Sequence, residues 1–278
     1  PADIVPEGKT PEENLNVFQE GDIPVLHEGA QPHWELVKKY DNFTAVNAIS
    51  FHVNEGEIFG LLGPNGAGKT TTLEIIETLR SKTSGSVQVC GFDLDKDPIK
   101  IKEVIGVQLQ AAGYYPNLNL TQLIELFAGL YNKQIDALEL LNKVQLTEKA
   151  KAKYKELSGG QKQRFSIATT LINNPKVIFL DEPTTGLDPQ ARRNLWDLIL
   201  SLRSTGTTIV LTTHYMDEAE VLCDRVAIVD AGVISKIDTP SNLIDQLLAT
   251  GFEKPLPVKQ ASLEDVFINL TGKALREE

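Results

Sequence analysis

Ile58-Phe59-Gly60-Leu61-Leu62-Gly63-Pro64-Asn65-Gly66-Ala67-Gly68-Lys69-Thr70-Thr71 decides the architecture of this chain. Its first five residues read as a buried strand, and they run straight into the pattern G-x-x-x-x-G-K-[ST] of a nucleoside triphosphate loop. Glycines 63, 66 and 68 let the backbone bend around an anion without Cβ obstruction, and the helix expected next aims its free N–H groups and positive dipole end at phosphate. Lys69 supplies charge to the β- and γ-phosphates, and the Thr70 hydroxyl is the expected Mg²⁺ ligand.

Working outward, short apolar runs suggest strands at Trp34 to Val37, Ala48 to Val53, Ser86 to Cys90, Val104 to Val107, Val177 to Leu180, Thr208 to Thr212, Val226 to Asp230 and Val233 to Ile237. Helical segments such as Pro189 to Arg203 fall between them, and the alternation predicts an α/β fold with a largely parallel sheet. One strand ends in acid, Val177-Ile178-Phe179-Leu180-Asp181-Glu182. Beside a phosphate loop, Asp181 is placed to hold Mg²⁺ through water and Glu182 to polarise the attacking water.

Residues 117 to 156 have a different texture, with Leu123, Leu126, Phe127 and Leu130, then Leu138, Leu141 and Val144, at helical spacing. This stretch is expected to be a helical insertion. It leads into Leu157-Ser158-Gly159-Gly160-Gln161, which opens a helix with apolar positions Phe165, Ala168, Leu171 and Ile172. The start of that helix is a second anion seat, with a capping hydroxyl at Ser158.

Composition narrows the partners. The chain has 278 residues, 41% of them hydrophobic, enough for a sizeable core. Its 38 acidic against 27 basic residues give a net charge of -11, which argues against nucleic acid as the main partner. Cys90 and Cys223 lack metal-ligand spacing and are expected to be structural thiols in a reducing compartment. No apolar run approaches the ~18 residues of a membrane span, and the first thirty residues lack a secretory layout, so a chain soluble by itself is expected.

With all motifs in order, GPNGAGKTT, LSGGQ and DEPTTGLDP, the chain closely resembles the nucleotide-binding domain of ATP-binding cassette transporters over about residues 33 to 240. The resemblance implies a P-loop NTPase core with a mostly parallel sheet, an antiparallel β subdomain and a helical subdomain at about 113 to 160. It implies ATP and Mg²⁺ as ligands. Two such domains would face each other head to tail, so that Gly63 to Thr71 of one and Ser158, Gly159, Gly160 and Gln161 of the other enclose each nucleotide. It also makes Asp188 the aspartate of the loop crossing that interface and His214 the switch residue sensing the γ-phosphate. Gln110, with Gln108 as a competitor, matches the glutamine that contacts Mg²⁺ or water, and Tyr40 matches the aromatic stacked on adenine.

The segments Thr212 to Glu220 and Leu263 to Gly272 are similar to exporter ATPases of the drug and antibiotic self-resistance type. These work with a separate membrane permease at the cytoplasmic face of the membrane, and a homodimer would have two competent sites. A soluble cassette ATPase acting on DNA or ribosomes is the alternative. Its relatives insert long coiled coils or duplicate the cassette, and neither feature is present. Residues 1 to 32, rich in Pro, Glu and Gly, read as an arm or linker, and 241 to 278 as a short helical extension.

Overall fold

The computed structural model describes residues 35–108 and 113–252. The start of the predicted first strand at Trp34, the arm, Gln110 and the segment Leu263 to Gly272 lie outside them. The chain parts into two compact units, one through Ser241 and one from Asn242.

At the centre of the first unit, strands β3 (Ile58–Leu62), β6 (Ile105–Gln108), β7 (Val177–Asp181), β8 (Thr208–Thr213), β9 (Arg225–Asp230) and β10 (Val233–Asp238) form one sheet in the order β10-β9-β3-β8-β7-β6. All neighbours are parallel except β10, which returns antiparallel along β9. β3, β7 and β8 are buried along their whole length, which is why they read as unbroken apolar runs. The edge strand β10 carries Lys236 and Asp238 and is half exposed, a composition that discourages pairing with other chains.

Register places the site. Leu62 pairs with Thr213, and Asp181 with Thr212, so β3, β7 and β8 end side by side. The residues that follow, Gly63, Glu182 and His214, therefore emerge together at the carboxyl edge of the sheet, where open α/β sheets bind ligands.

An antiparallel hairpin, β1 (Leu36–Tyr40) with β2 (Phe43–Ile49), lies over the glycine loop, with the Asn47 N–H donating to the Gly232 carbonyl at 2.7 Å. The strand expected at Ala48 to Val53 is displaced toward the N-terminus: β2 begins at Phe43 and ends at Ile49. The apolar alternation continues through Ile49, Phe51 and Val53, but the last two are buried without a ladder partner, Phe51 stacking on Phe59 at 5.1 Å. A small hairpin, β4 (Gln88–Val89) and β5 (Phe92–Asp93), turns at Cys90-Gly91, both with positive φ, as a type I′ hairpin turn requires.

Helices α1 (Lys69–Ile76), α2 (Pro98–Val104), α6 (Pro189–Ser204) and α7 (Met216–Leu222) accompany this sheet. α6 buries Leu195, Leu198, Ile199 and Leu202, one stripe at helical spacing. The predicted insertion, residues 117 to 156, carries α3 (Leu120–Leu130) and α4 (Ala137–Lys143), and the helix opened at Ser158 is α5 (Gly159–Thr170). Tyr114, just before α3, meets Phe127, Tyr154 and Phe165 at ring distances of 5.9, 4.4 and 5.2 Å and binds the insertion to α5. Its apolar periodicity serves two faces: Leu123 and Leu141 are buried, whereas Leu126, Leu130 and Leu138 point outward. α8 (Pro240–Ala249) follows β10. Both cysteines are free, and burial raises both thiols above their usual range.

Candidate functional site

The turn after β3 is shaped by two close approaches. A Cβ at Gly63 would stand 2.1 Å from the Val229 carbonyl oxygen, and one at Gly68 would stand 2.3 Å from that of Ala45. Gly68 also has φ +96° and begins α1 without a side-chain cap, leaving the first N–H groups of the helix to a ligand. Lys69 is almost fully buried, its Nζ donating to the carbonyls of Gly63 (2.8 Å) and Pro64 (3.0 Å). Burial lowers its pKa, and the carboxylates of Glu182 and Asp181 oppose that shift.

At the end of β7, the Asp181 carboxylate accepts from the Thr70 hydroxyl at 3.1 and 3.2 Å. Glu182 follows with φ +45°, a strained conformation for a residue with a side chain and one found preferentially at working sites. Its Oε1 lies 3.7 Å from Lys69 Nζ and 3.1 Å from His214 Nδ1, and its Oε2 accepts from the Thr185 hydroxyl at 3.2 Å. The His214 nitrogen is off the line of a hydrogen bond and is buried without a hydrogen-bond partner among the described residues.

Phe43, Ala45, Asn65, Gly66, Gly68, Lys69, Thr70, Thr71 and Glu182 line one cleft of about 350 Å³. The structure thus joins the glycine loop to Glu182 and, through their contacts, to Asp181 and His214. Tyr40 is not in that lining. Its hydroxyl accepts from Arg80 Nη1 at 2.6 Å, and Lys38 and Arg80 lie over its ring at 5.0 and 5.7 Å. Phe43, its cross-strand partner, is the exposed aromatic in the cleft.

The second anion seat lies elsewhere. Ser158 caps α5 in a reciprocal pair with Gln161, its N–H donating to Gln161 Oε1 at 3.0 Å and its Oγ accepting from the Gln161 N–H at 3.4 Å. Asp188 caps α6, accepting from the N–H groups of Gln190 and Ala191 at 3.0 and 2.8 Å. Ser158, Gly160, Gln161 and Asp188 share a separate depression of about 220 Å³. It has no lining residue in common with the cleft. Gly159 is exposed beside it.

Thr212, Gln163 and Glu77 carry no functional signal of their own in the sequence. Fully buried Thr212 accepts the Glu182 N–H at 3.0 Å and donates to Asp181 at 2.5 Å, fixing both acids at once. Gln163, on α5, donates to the Pro183 carbonyl at 2.7 Å and links the Ser158 helix to the turn after Glu182. Glu77 is buried at the C-terminal end of α1, and desolvation, with Asp181 and Glu74 nearby, pushes its carboxyl up to about 8. Gln108, the competitor of Gln110, is buried at the end of β6 with neither amide atom partnered among the described residues.

A glycine loop at a strand end, a buried lysine within it and acids closing the far wall define a P-loop nucleoside triphosphatase. The comparisons narrow the class: the ABC transporter family model matches residues 46–185. The chain is 40% identical to the linearmycin resistance ATP-binding protein LnrL of Bacillus subtilis, over 76% of this chain and 70% of that one. It is 43% identical to the Nod factor export ATP-binding protein I of Burkholderia thailandensis, over 76% and 71%. Among solved structures, the dimeric post-hydrolysis state of the ATP-binding cassette MJ0796 bound to ADP and Pi is 28% identical, with a TM-score of 0.67 over 75% of this chain and 97% of that one. The chain belongs to the ABC transporter family, and it is an ATP-binding ATPase of that family.

Proposed function

We propose that this chain drives export through a partner membrane permease, that it works as a pair, and that each ATP is held between the glycine loop of one copy and the Ser158 turn of the other. The observation that carries this is the division of the site within one chain. The cleft holds the lysine and borders the acids, whereas the depression at Ser158, Gly160 and Asp188 is a distinct place with its own polar groups already capped. In MJ0796, a relative of the same fold, the cassette is dimeric with ADP and Pi bound.

In the paired site, the loop N–H groups and Lys69 hold the phosphates, and Ser158, Gly159, Gly160 and Gln161 of the second copy close over them. Glu182 takes a proton from the attacking water, and its anchorage by Thr185 and by the backbone bond to Thr212 fixes where that proton is received. His214 senses the γ-phosphate from the end of β8, and Asp188 crosses to the second copy. The base rests on the hairpin turn, chiefly against Phe43, with Tyr40 beside it in the turn.

The Thr70 hydroxyl and the Asp181 carboxylate converge as hard oxygen donors, and no cluster of three or more His, Cys, Asp or Glu suited to a metal occurs among the described residues. That fits Mg²⁺, which takes one or two protein oxygens and shares the rest of its shell with phosphate and water. Thr70, Asp181 and Gln110 would hold it, and it would neutralise charge on the phosphate oxygens.

Among the described residues no helix is long and apolar enough to cross a membrane, and the relatives, named as ATP-binding proteins of resistance and export, support a pathway on another chain with this one peripheral at the cytoplasmic face. The names of the relatives, resistance to linearmycin and export of Nod factor, support outward transport of a drug, antibiotic or lipid-like molecule. Purification from membranes tests this. A polytopic membrane chain should accompany this one and raise its ATP turnover, whereas association only with ribosomes or DNA would remove the transport assignment.

A further inference from the structure

A row of side chains runs from α6 to the reacting end of β8. The Arg192 guanidinium lies over the Tyr215 ring at 4.3 Å from its centroid. That ring is 4.1 Å from the His214 ring, their planes inclined by 38°, and His214 Nδ1 stands 3.1 Å from Glu182 Oε1. Arg192 has little else to hold. Its Nη1 meets the exposed Asp217 carboxylate at 3.3 Å, and its Nε is buried with no partner among the described residues. The aromatic face is therefore its principal contact.

The frame around this row is fixed at both ends. Trp196, one turn beyond Arg192 on α6, donates to Glu218 on α7 at 3.2 Å, and Glu218 is fully buried. The Tyr215 N–H donates to the Thr213 hydroxyl at 3.0 Å, which sets the backbone of the turn between β8 and α7. What the frame leaves free is the torsion of the histidine side chain. A tilted ring packed against it, itself held by a cation, would restrict the orientation of the imidazole before the nucleotide arrives.

We propose that Arg192 is a positioning residue for ATP hydrolysis, acting through the Tyr215 ring to hold His214 at the γ-phosphate end of the cleft. The inference rests on His214 being the γ-phosphate sensor. It also gives the turn at Asp188 a route to the chemistry, because Asp188 caps the same helix whose first turn carries Arg192. Covering that turn with a second copy would steady the cation on Tyr215 and so the imidazole beside Glu182.

Steady-state ATP turnover of the full chain, with its membrane partner where turnover needs one, tests the route. Arg192→Met and Tyr215→Ala should each lower kcat roughly tenfold with KM for ATP and the melting temperature near wild type. Their double variant should lose no more than the worse single one. Arg192→Lys and Tyr215→Phe, which keep the cation and the ring, should recover most of the rate. Wild-type kcat in Arg192→Met, or losses that multiply in the double variant, would overturn the positioning role. His214→Ala separates the two levels. If it turns over like wild type, the sensor assignment itself fails, and if it is inactive while Arg192→Met is not, only the route through Tyr215 fails.

Discussion

The cleft at Gly63–Thr71 and the depression at Ser158–Asp188 are both built on helix N-termini, yet they are prepared for opposite roles. In the cleft the helix start is uncapped, the lysine is buried, and the neighbouring acids are fixed by Thr70, Thr185 and Thr212. At the depression both helix starts are capped from within, by Ser158 with Gln161 and by Asp188. The first gathers a buried lysine and acids in an open cleft, and the second gathers capped helix starts with neither lysine nor glutamate in its lining. In the proposed pair, two copies placed head to tail would supply each with what it lacks.

The largest way to break this contrast is at Glu182. Glu182→Gln should lower phosphate release by about 10² to 10⁴ while nucleotide binding is retained, since only the proton acceptor is lost. Turnover near wild type would remove Glu182 from the chemistry. Next comes the support beneath it. Thr212→Val leaves the Glu182 N–H buried and unpaired, at a cost of roughly 1–3 kcal/mol, so the melting temperature should drop together with kcat. An unchanged melting temperature would show that the two acids hold themselves in place.

Glu77 sharpens the same contrast through pH. Its carboxyl is raised to about 8 in the folded chain against an ordinary 4.5, so the folded state keeps a proton that the unfolded chain has released. That contribution is complete below pH 4.5 and is lost as pH rises through about 8, at roughly 1 kcal/mol per unit in between. Measured by thermal unfolding without nucleotide, Glu77→Gln should gain on wild type steadily from pH 5 to 8, and a constant difference would contradict the shift. The smallest effect is expected at the hairpin. Phe43→Ala should weaken ATP binding more than Tyr40→Ala, by a factor of about ten, because Phe43 lines the cleft while Tyr40 is engaged by Arg80. The reverse order would return the base to Tyr40.

Much of this was legible in the sequence where a motif and a local pattern coincide. Ile58–Leu62 is a strand with those bounds because five buried residues end at a glycine that must turn, and Pro189 opens α6 because Asp188 caps it. Thr212 was not legible as a support, since a threonine in an apolar strand is an ordinary strand former until its hydroxyl is seen between two acids. Glu77 reads as helix surface, and only the fold buries it. Arg192 lies a turn beyond the aspartate that draws attention, and its partner Tyr215 comes from a different strand end. Phe43 and Tyr40 lie at one hairpin turn, and composition alone does not say which of two aromatics faces a ligand.

The pairing itself is tested most directly by sedimentation of Glu182→Gln with and without ATP. The mass should double with ATP, and adding Ser158→Arg should keep the chain monomeric while each copy still binds nucleotide. A Glu182→Gln chain that stays monomeric with ATP bound, or a Ser158→Arg chain that pairs and turns over like wild type, would contradict a site completed by a second copy.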